Sequence, residues 1–173
     1  MILGKYQFCR NRQERGYSIT AIVQNEDGNL FFAKWIKGIE LNSQAGKILF
    51  DKLRNIKKAQ HKSLAKIVEY DWDTSENAYC IVFEYIDAKT LENEFRNLKP
   101  AHFIKGIENA VSCLKELQQN HRITHGDLNP ANILVDENFE FYLIDFGIAD
   151  ICTTLSQEKE LAIFAKDFAA PEK

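Results

Sequence analysis

The sequence predicts an α+β fold in which a five-stranded antiparallel sheet carrying one helix precedes a mainly helical region. Residues 1–86 contain five short β-branched and aromatic runs separated by polar turns, and one longer stretch with apolar residues at helical spacing. Residues 87–173 begin with helical patterns and continue into a polar turn and a short hairpin. A length of 173 residues is that of one large domain or two small ones.

The five strands are expected where apolar runs lie between turn-forming residues, near 6–9 and at 18–23, 30–36, 65–70 and 78–83. A polar stretch at 25–29 supplies the turn between the second and third strands, which therefore form an antiparallel meander. A helix is predicted from residue 42 to about 60, with Asn42 or Ser43 as its N-cap. Its apolar positions recur at helical spacing: Ala45, Ile48, Leu49, Leu53 and Ile56.

Two helices are predicted after residue 87. The first is short, from Thr90 to Asn97, and the second opens at Pro100, a residue favoured in the first helical turn. The second helix places six apolar residues on one face: Phe103, Ile104, Ile107, Val111, Leu114 and Leu117. We expect this face to pack into the core as scaffold.

A polar turn at 125–132 leads into a short predicted hairpin, and the candidate catalytic residues lie around this hairpin. Apolar strands are predicted at 133–135 and 141–144, and Asp145 follows the second strand at once. Because strands joined by a short turn are antiparallel neighbours, Asp127, Asn132 and Asp145 should converge at one end of the hairpin. Three oxygen-bearing side chains suit a hard cation such as Mg²⁺, which leaves other positions to water and phosphate. The pattern indicates a phosphate-transfer site.

The same stretch resembles the catalytic loop and the metal-binding loop of protein kinases, whose spacings it reproduces with Asp127, Asn132 and Asp145. The resemblance implies that Asp127 orients the attacking hydroxyl or accepts its proton. It implies that Asn132, which also counts in the catalytic set, and Asp145 hold Mg²⁺ against the phosphates. His125 would pack under the metal loop as a structural residue. The implied fold is kinase-like, with two domains: an N-lobe over residues 1–86 and a partial C-lobe over residues 87–173.

The resemblance also implies an ATP site. Lys34, on the third strand, would contact the α- and β-phosphates and belong to the catalytic set, with Lys37 as the rival position. Asp51, on the predicted helix, would pair with Lys34 where the family has a glutamate. Backbone groups of Glu84 and Ile86 would bind the adenine edge.

Gly16 and Leu134 complete the implied nucleotide site. The family covers the phosphates with a glycine-rich turn between the first two strands, and Gly16 is the best match to it. Gln13 and Arg15 stand where two of the family's glycines would be. Because glycine lets backbone N–H groups approach phosphate closely, we expect a looser lid or one that uses side chains. Leu134, in the strand after the catalytic turn, is also assigned to the nucleotide.

Several departures from the family pattern leave the acceptor open. Gly126 replaces the usual arginine, Asn129 replaces the lysine of serine/threonine kinases, and Ala165 replaces its accompanying threonine. The leading hypothesis is an ATP- and Mg²⁺-dependent protein serine/threonine kinase. His-Gly-Asp with Asn129 also resembles small-molecule kinases of the aminoglycoside and choline kinase type. A third hypothesis is a catalytically silent, nucleotide-binding interaction module.

The last residues resemble a kinase activation segment, from Ile148 to Ala169, closed by Ala170-Pro171-Glu172. The Ala-Pro-Glu motif favours protein kinases over small-molecule kinases. Kinases continue beyond this point with several helices, whereas the sequence stops at Lys173. Three readings stay open: a fragment, a partner chain that completes the C-lobe, or a minimised fold.

Composition excludes several classes of partner. The net charge of −3 gives no reason to expect nucleic-acid or anionic-membrane binding, and no apolar run approaches the ~20 residues of a membrane span. The four cysteines have no paired metal-binding spacing. We therefore expect a cytoplasmic protein with reduced thiols.

Overall fold

The computed structural model describes residues 2–146, which divide between two compact units. The first unit consists of the residues up to Leu53 together with Lys66–Tyr85. The second consists of Arg54–Ala65 together with the chain from Ile86 onward. The predicted activation segment and Ala-Pro-Glu motif lie outside the described residues. Each unit contains a sheet of its own.

The first unit is built on a five-stranded antiparallel sheet with the order β1-β2-β3-β5-β4. Its strands are β1 (Gln7–Arg15), β2 (Ser18–Gln24), β3 (Leu30–Ile36), β4 (Ile67–Asp73) and β5 (Ala78–Glu84). The pairing of β2 with β3 is unbroken from Ser18 opposite Ile36 to Gln24 opposite Leu30. The five-stranded sheet predicted from the sequence is confirmed.

One face of this sheet is packed with apolar side chains. Because successive side chains of a strand point to opposite faces, alternate residues form the core cluster: Ile19, Ala21, Val23, Ala33, Trp35, Ala78, Cys80 and Val82. The indole N–H of Trp35 donates to Oδ2 of the buried Asp73 at 2.7 Å. The backbone N–H and the hydroxyl of Ser75 donate to Oδ1 of Asp73. Both oxygens of this buried carboxylate are therefore hydrogen-bonded, as burial requires.

The first strand differs from its prediction in length and position. The sequence predicts a strand near 6–9, whereas β1 runs from Gln7 to Arg15 and Tyr6 packs into the core. All nine residues of β1 are exposed, and two register shifts interrupt its pairing with β2. An exposed edge strand has no apolar alternation from which its length could be read. Charge contributes to its placement, since Arg12 pairs with Glu76 at 2.6 Å.

The helix α1 (Gln44–Lys58) follows β3. Ser43 is its N-cap, because the Ser43 hydroxyl accepts the backbone N–H of Gly46 at 3.0 Å; this decides between the two predicted caps. Leu49 and Leu53 are fully buried as predicted, but Ile48 is 41% exposed. The apolar pattern is wider than the face that the sheet covers.

The second unit contains a three-stranded sheet with the order β6-β7-β8. Its strands and helices are β6 (Ala88–Thr90), α2 (Leu91–Glu94), α3 (Pro100–His121), β7 (Ile133–Asp136) and β8 (Phe141–Leu143). A 3₁₀ turn, Phe95–Asn97, continues α2, and a second, Pro130–Asn132, precedes β7. The sequence analysis missed β6, because three residues with one exposed lysine carry no strand pattern.

The buried face of α3 matches the predicted one only in part, since Leu117 is buried as predicted and Phe103, Ile107 and Leu114 are half-buried. It consists of Gly106, Ala110, Cys113 and Leu117. Of the six apolar residues predicted to be inside, Ile104 is 57% exposed and Val111 is 42% exposed. The cause is the ring of Phe141, since a Cβ at Gly106 would lie 2.5 Å from the Cδ1 atom of that ring. Small residues on α3 let β8 approach, so close packing selects the face rather than hydrophobicity.

Two observations bear on the environment of the chain. Within residues 2–146, no helix combines the length and the apolar character of a membrane span. In the same part of the chain Cys9, Cys80 and Cys113 are free thiols, and the last two are buried. Burial raises the pKa of the Cys113 thiol to about 12, so this side chain is an inert apolar group.

Candidate active site

The β7–β8 hairpin brings the predicted catalytic and metal-binding residues to one end. Asn132 precedes β7 and Asp145 follows β8, and the backbone N–H of Ile144 donates to the Asn132 carbonyl at 3.1 Å. The side-chain Nδ2 of Asn132 donates to the carbonyl of Asp127 at 2.8 Å and to its carboxylate Oδ2 at 3.0 Å. Hydrogen bonds therefore connect Asp127 to Asn132, and Asn132 to the residue before Asp145.

The donor set suits a hard divalent cation. Both bonds from Asn132 to Asp127 use Nδ2, so Oδ1 is the atom of that amide that can face a cation. With a carboxylate oxygen of Asp145 it gives two hard-oxygen ligands, a number typical of Mg²⁺ sites that are completed by water and phosphate. Within residues 2–146, no group of three or more His, Cys, Asp or Glu side chains could hold a metal by itself. The residues fit a metal that arrives with phosphate ligands.

Asn129 has a structural role that the sequence analysis did not assign. Its Oδ1 accepts the backbone N–H of Ala131 at 2.9 Å, which caps the 3₁₀ turn, and its Nδ2 donates to the Asp127 carbonyl at 3.2 Å. The carbonyl of Asp127 thus receives two side-chain amides, one from Asn129 and one from Asn132. An asparagine directly before a proline at the first helical position is an N-cap signal, and it identifies this residue from the sequence.

The backbone at Asp145 adopts a left-handed conformation, with φ of 65°. Left-handed backbone costs a residue other than glycine about 1–2 kcal/mol, although aspartate tolerates it better than most. The position follows β8 and precedes the buried Phe146. Strain of this kind is held by surrounding structure and occurs often at functional sites.

His125 packs beneath this end of the hairpin. It is 5% exposed, and its ring lies 4.4 Å from the ring of Phe146 between centroids. Its Nδ1 accepts the backbone N–H of Asp127 at 3.3 Å. Burial lowers the pKa of His125, and the carboxylates of Asp145 and Asp127 oppose that shift only in part. A neutral packing histidine is the role expected from the sequence.

In the first unit, Lys34 lies on the face of the sheet opposite the apolar core cluster. It is half-buried in β3, directly across from Thr20 on β2 and Ile81 on β5. The rival Lys37 follows β3 and pairs with Glu14 of β1. The ion pair engages the Lys37 ammonium with a side chain of β1, and the choice of Lys34 as the phosphate-contacting lysine stays a prediction.

Asp51 is exposed on α1. At 100° per residue it lies about 180° around the helix from the midpoint of buried Leu49 and Leu53. The structure thus places Asp51 on the outer side of α1, and its pairing with Lys34 stays a prediction. A pair made from that side would be partly solvated.

Gly16 lies at the exposed tip of the β1–β2 hairpin, where Arg15 is opposite Ser18. The connection has only two residues, Gly16 and Tyr17, and Gly16 has φ of 54°. Such a tight turn requires glycine for its conformation. A turn this short presents few backbone N–H groups, in keeping with a lid that depends on side chains.

The predicted adenine contacts lie around the end of β5. The backbone N–H of Glu84 donates to the Lys66 carbonyl at 3.0 Å, so a contact from Glu84 to adenine has to use its carbonyl oxygen. Ile86, two residues later, is half-buried. In the second unit, Leu134 is half-buried on β7, with its side chain on the face opposite the buried Ile133.

Comparison with known proteins gives a match to the family model of the protein kinase domain over residues 16–173. The chain is 22% identical over 158 residues to mitogen-activated protein kinase kinase 2 of Arabidopsis thaliana, covering 90% of this chain and 43% of that protein. It is 26% identical over 122 residues to chitin elicitor receptor kinase 1 of Physcomitrium patens, covering 65% and 19%. It is 30% identical over 163 residues to atrial natriuretic peptide receptor 2 of Anguilla japonica, covering 90% and 15%. The chain thus spans less than half the length of each of these relatives.

Proposed function

Because the chain belongs to the protein kinase domain family, we propose that it carries the catalytic core of an ATP- and Mg²⁺-dependent phosphotransferase that acts on serine or threonine hydroxyls of proteins. The observation that carries this proposal is the hydrogen-bonded set of Asp127 and Asn132, next to Asp145. The family match alone would not distinguish an active kinase from a silent one. An ordered acid and amide at the end of the hairpin supports the active form.

In the proposed reaction the acceptor hydroxyl oxygen forms a bond to the γ-phosphorus of ATP while the bond from that phosphorus to the β–γ bridging oxygen breaks. ADP leaves with the electron pair of the broken bond. The carboxylate of Asp127 orients the hydroxyl and accepts its proton, and the two amides on the Asp127 carbonyl keep the residue in place. Asn132 and Asp145 would hold Mg²⁺, whose charge would offset that of the phosphates.

The proposed nucleotide contacts are those that the kinase resemblance implies. Lys34 would contact the α- and β-phosphates, and Asp51 is its proposed partner. The Glu84 carbonyl and Ile86 would meet the adenine edge, while Leu134 would contact the base. Gly16 would lie over the phosphates. This assignment supports a second expectation, that ATP binds at least tenfold more weakly when a chelator removes the metal; equal affinities in calorimetry would favour a silent binding module.

The proposal is tested by Asp127→Asn. Asparagine keeps the size of the side chain and can still accept the Asn132 amide, but it cannot take the acceptor proton. We expect loss of transfer from radiolabelled ATP with nearly unchanged ATP affinity. Asp27→Asn, in the exposed β2–β3 turn, is the matched control. Transfer by Asp127→Asn at the parental rate would contradict the catalytic assignment.

A small-molecule acceptor is the second candidate, and Asn129 is the observation that favours it. Serine/threonine kinases have a lysine at this position, whereas both ends of the Asn129 side chain are engaged within the turn. At this position the catalytic turn therefore places no positively charged side chain near an acceptor. Parallel assays with a basic protein, an aminoglycoside and choline would separate the two candidates.

A cytoplasmic location is part of the proposal. The buried free thiols Cys80 and Cys113 support a reducing compartment. Localisation of the tagged protein by microscopy tests this, and detection in an oxidising compartment would contradict it.

A further inference from the structure

The inner side of α1 rests on aromatic rings of the first unit's sheet. The ring centroid of Phe50 lies 5.1 Å from that of Tyr70 and 5.7 Å from that of Tyr79, both edge to face. Tyr79 is in turn 4.9 Å from Trp72, also edge to face. We call these four residues the aromatic clamp. Edge-to-face rings attract only in restricted orientations, so they fix the direction as well as the distance of α1.

One turn before Phe50, Gly46 makes a second close approach to the clamp. A Cβ at Gly46 would lie 2.1 Å from the hydroxyl oxygen of Tyr79 and 2.9 Å from its Cζ. The backbone carbonyl of Glu40 would be 3.1 Å away. The glycine is therefore required for space, since any larger residue would push the start of α1 from the sheet. Tyr79 itself is 3% exposed and cannot swing into solvent without unpacking.

The clamp lies on the same face of the sheet as Lys34. Residues directly opposite each other on neighbouring strands share a face, and Lys34, Ile81 and Tyr70 are opposite one another across β3, β5 and β4. Tyr79 lies in the next cross-strand row, opposite Ile36 and Trp72. Phe50 therefore packs between the row that contains Lys34 and the row beside it.

We propose that Gly46, Phe50 and Tyr79 are positioning residues for the nucleotide site, because their packing holds α1 in one place beside the Lys34 row. The inference rests on the proposed function, which assigns Lys34 to the phosphates. The inner side of α1 is apolar, with Leu49 and Leu53 fully buried. Close packing thus supplies the constraint at this position of the helix.

The test uses Gly46→Ala and its rescue by Tyr79→Phe. The first substitution creates the 2.1 Å overlap, and the second deletes the overlapping hydroxyl. Approaches of 2.9 Å to the ring and 3.1 Å to the Glu40 carbonyl stay, and small shifts of the ring and of the helix start relieve them. The probe is a non-hydrolysable ATP analogue with Mg²⁺, titrated at a temperature where each variant is fully folded by circular dichroism. We expect the Kd of Gly46→Ala to rise at least tenfold and that of the double variant to return within threefold of the parent.

Phe50→Ala should raise the same Kd at least tenfold, whereas Ile48→Ala, on the exposed side of α1, should leave it unchanged. A purely structural role would lower the unfolding midpoint and leave the Kd of the folded protein unaltered, and that result would overturn the inference alone. Failure of the double variant to recover would also overturn it. Absence of binding by the parent chain would instead overturn the proposed function, and this inference with it.

Discussion

Replacing Asn129 by alanine should loosen the catalytic turn without unfolding the chain. The substitution removes the cap on the Ala131 N–H at 2.9 Å and one of the two amides on the Asp127 carbonyl, at 3.2 Å. Loss of an N-cap costs ~0.5–2 kcal/mol. Loss of a second neutral hydrogen bond at a half-buried site costs ~0.5–1.5 kcal/mol. The unfolding free energy should therefore fall by about 1–3 kcal/mol.

The assay combines thermal unfolding with transfer kinetics. Each kcal/mol lowers the midpoint of a protein of this size by ~2–4 °C. Because Asp127 loses one of its two supports, the transfer rate should fall by about 10- to 100-fold while ATP affinity stays constant. Asn138→Ala is the matched control, since Asn138 binds Asp136 through its backbone N–H, which alanine keeps. If Asn129→Ala matched this control in both measurements, the supporting role of Asn129 would be refuted.

Three further predictions concern stability and the nucleotide site. Gly106→Ala places a Cβ 2.5 Å from the Phe141 ring on β8, so it should lower the unfolding free energy by ~1–3 kcal/mol. The control Ser112→Ala, on the exposed surface of α3, should leave the unfolding free energy unchanged. Equal denaturant midpoints for the two variants would contradict this packing. Asp51 is exposed, so its coupling to Lys34 should be small. A double-mutant cycle that measures ATP affinity should give a coupling energy of only ~0.2–1 kcal/mol between the two residues. Strict additivity of the two substitutions would mean that the side chains do not meet. Burial lowers the pKa of His125 in the folded chain, whereas in the unfolded chain it has the ordinary histidine value of about 6.5. Below about pH 6.5 the unfolded chain therefore binds more protons, and the stability of the folded chain should fall as the pH drops. His125→Gln should flatten this slope in pH-dependent melting, and an unchanged slope would contradict the assignment.

The grouping of residues at one end of the β7–β8 hairpin could be predicted from the sequence, because it depends only on residues that are close to one another along the chain. Asp127, Asn132 and Asp145 lie around one short hairpin, and a hairpin fixes which residues meet at its ends. The match to the protein kinase domain family confirms the resemblance that these residues carry. The positions of Lys34 and Asp51 could be read from strand and helix patterns, but their meeting depends on how far around α1 the Asp51 side chain lies. A one-residue change of register turns a helical residue by 100°.

The partly misplaced face of α3 and the missed β6 have a different cause. Periodicity locates apolar residues, but the buried side of α3 was decided by Gly106, whose missing side chain admits the Phe141 ring. A hydrophobicity pattern does not predict where a missing side chain will let a ring approach the helix. Similarly, β6 is a strand only because β7 supplies its hydrogen-bond partners, with Lys89 opposite Val135. Contacts between distant residues override local preference at both places.

The chain has two tryptophans, Trp35 and Trp72, and both belong to the first unit. Trp35 is 1% exposed and hydrogen-bonded to Asp73, so its emission should be blue-shifted in the folded protein and move to longer wavelength on unfolding. Tryptophan fluorescence, excited selectively over tyrosine, therefore reports on the first unit alone. Far-ultraviolet circular dichroism also records α3, the 22-residue helix of the second unit. Two urea titration curves that separate would show that the units unfold independently, and two that coincide would show one cooperative transition.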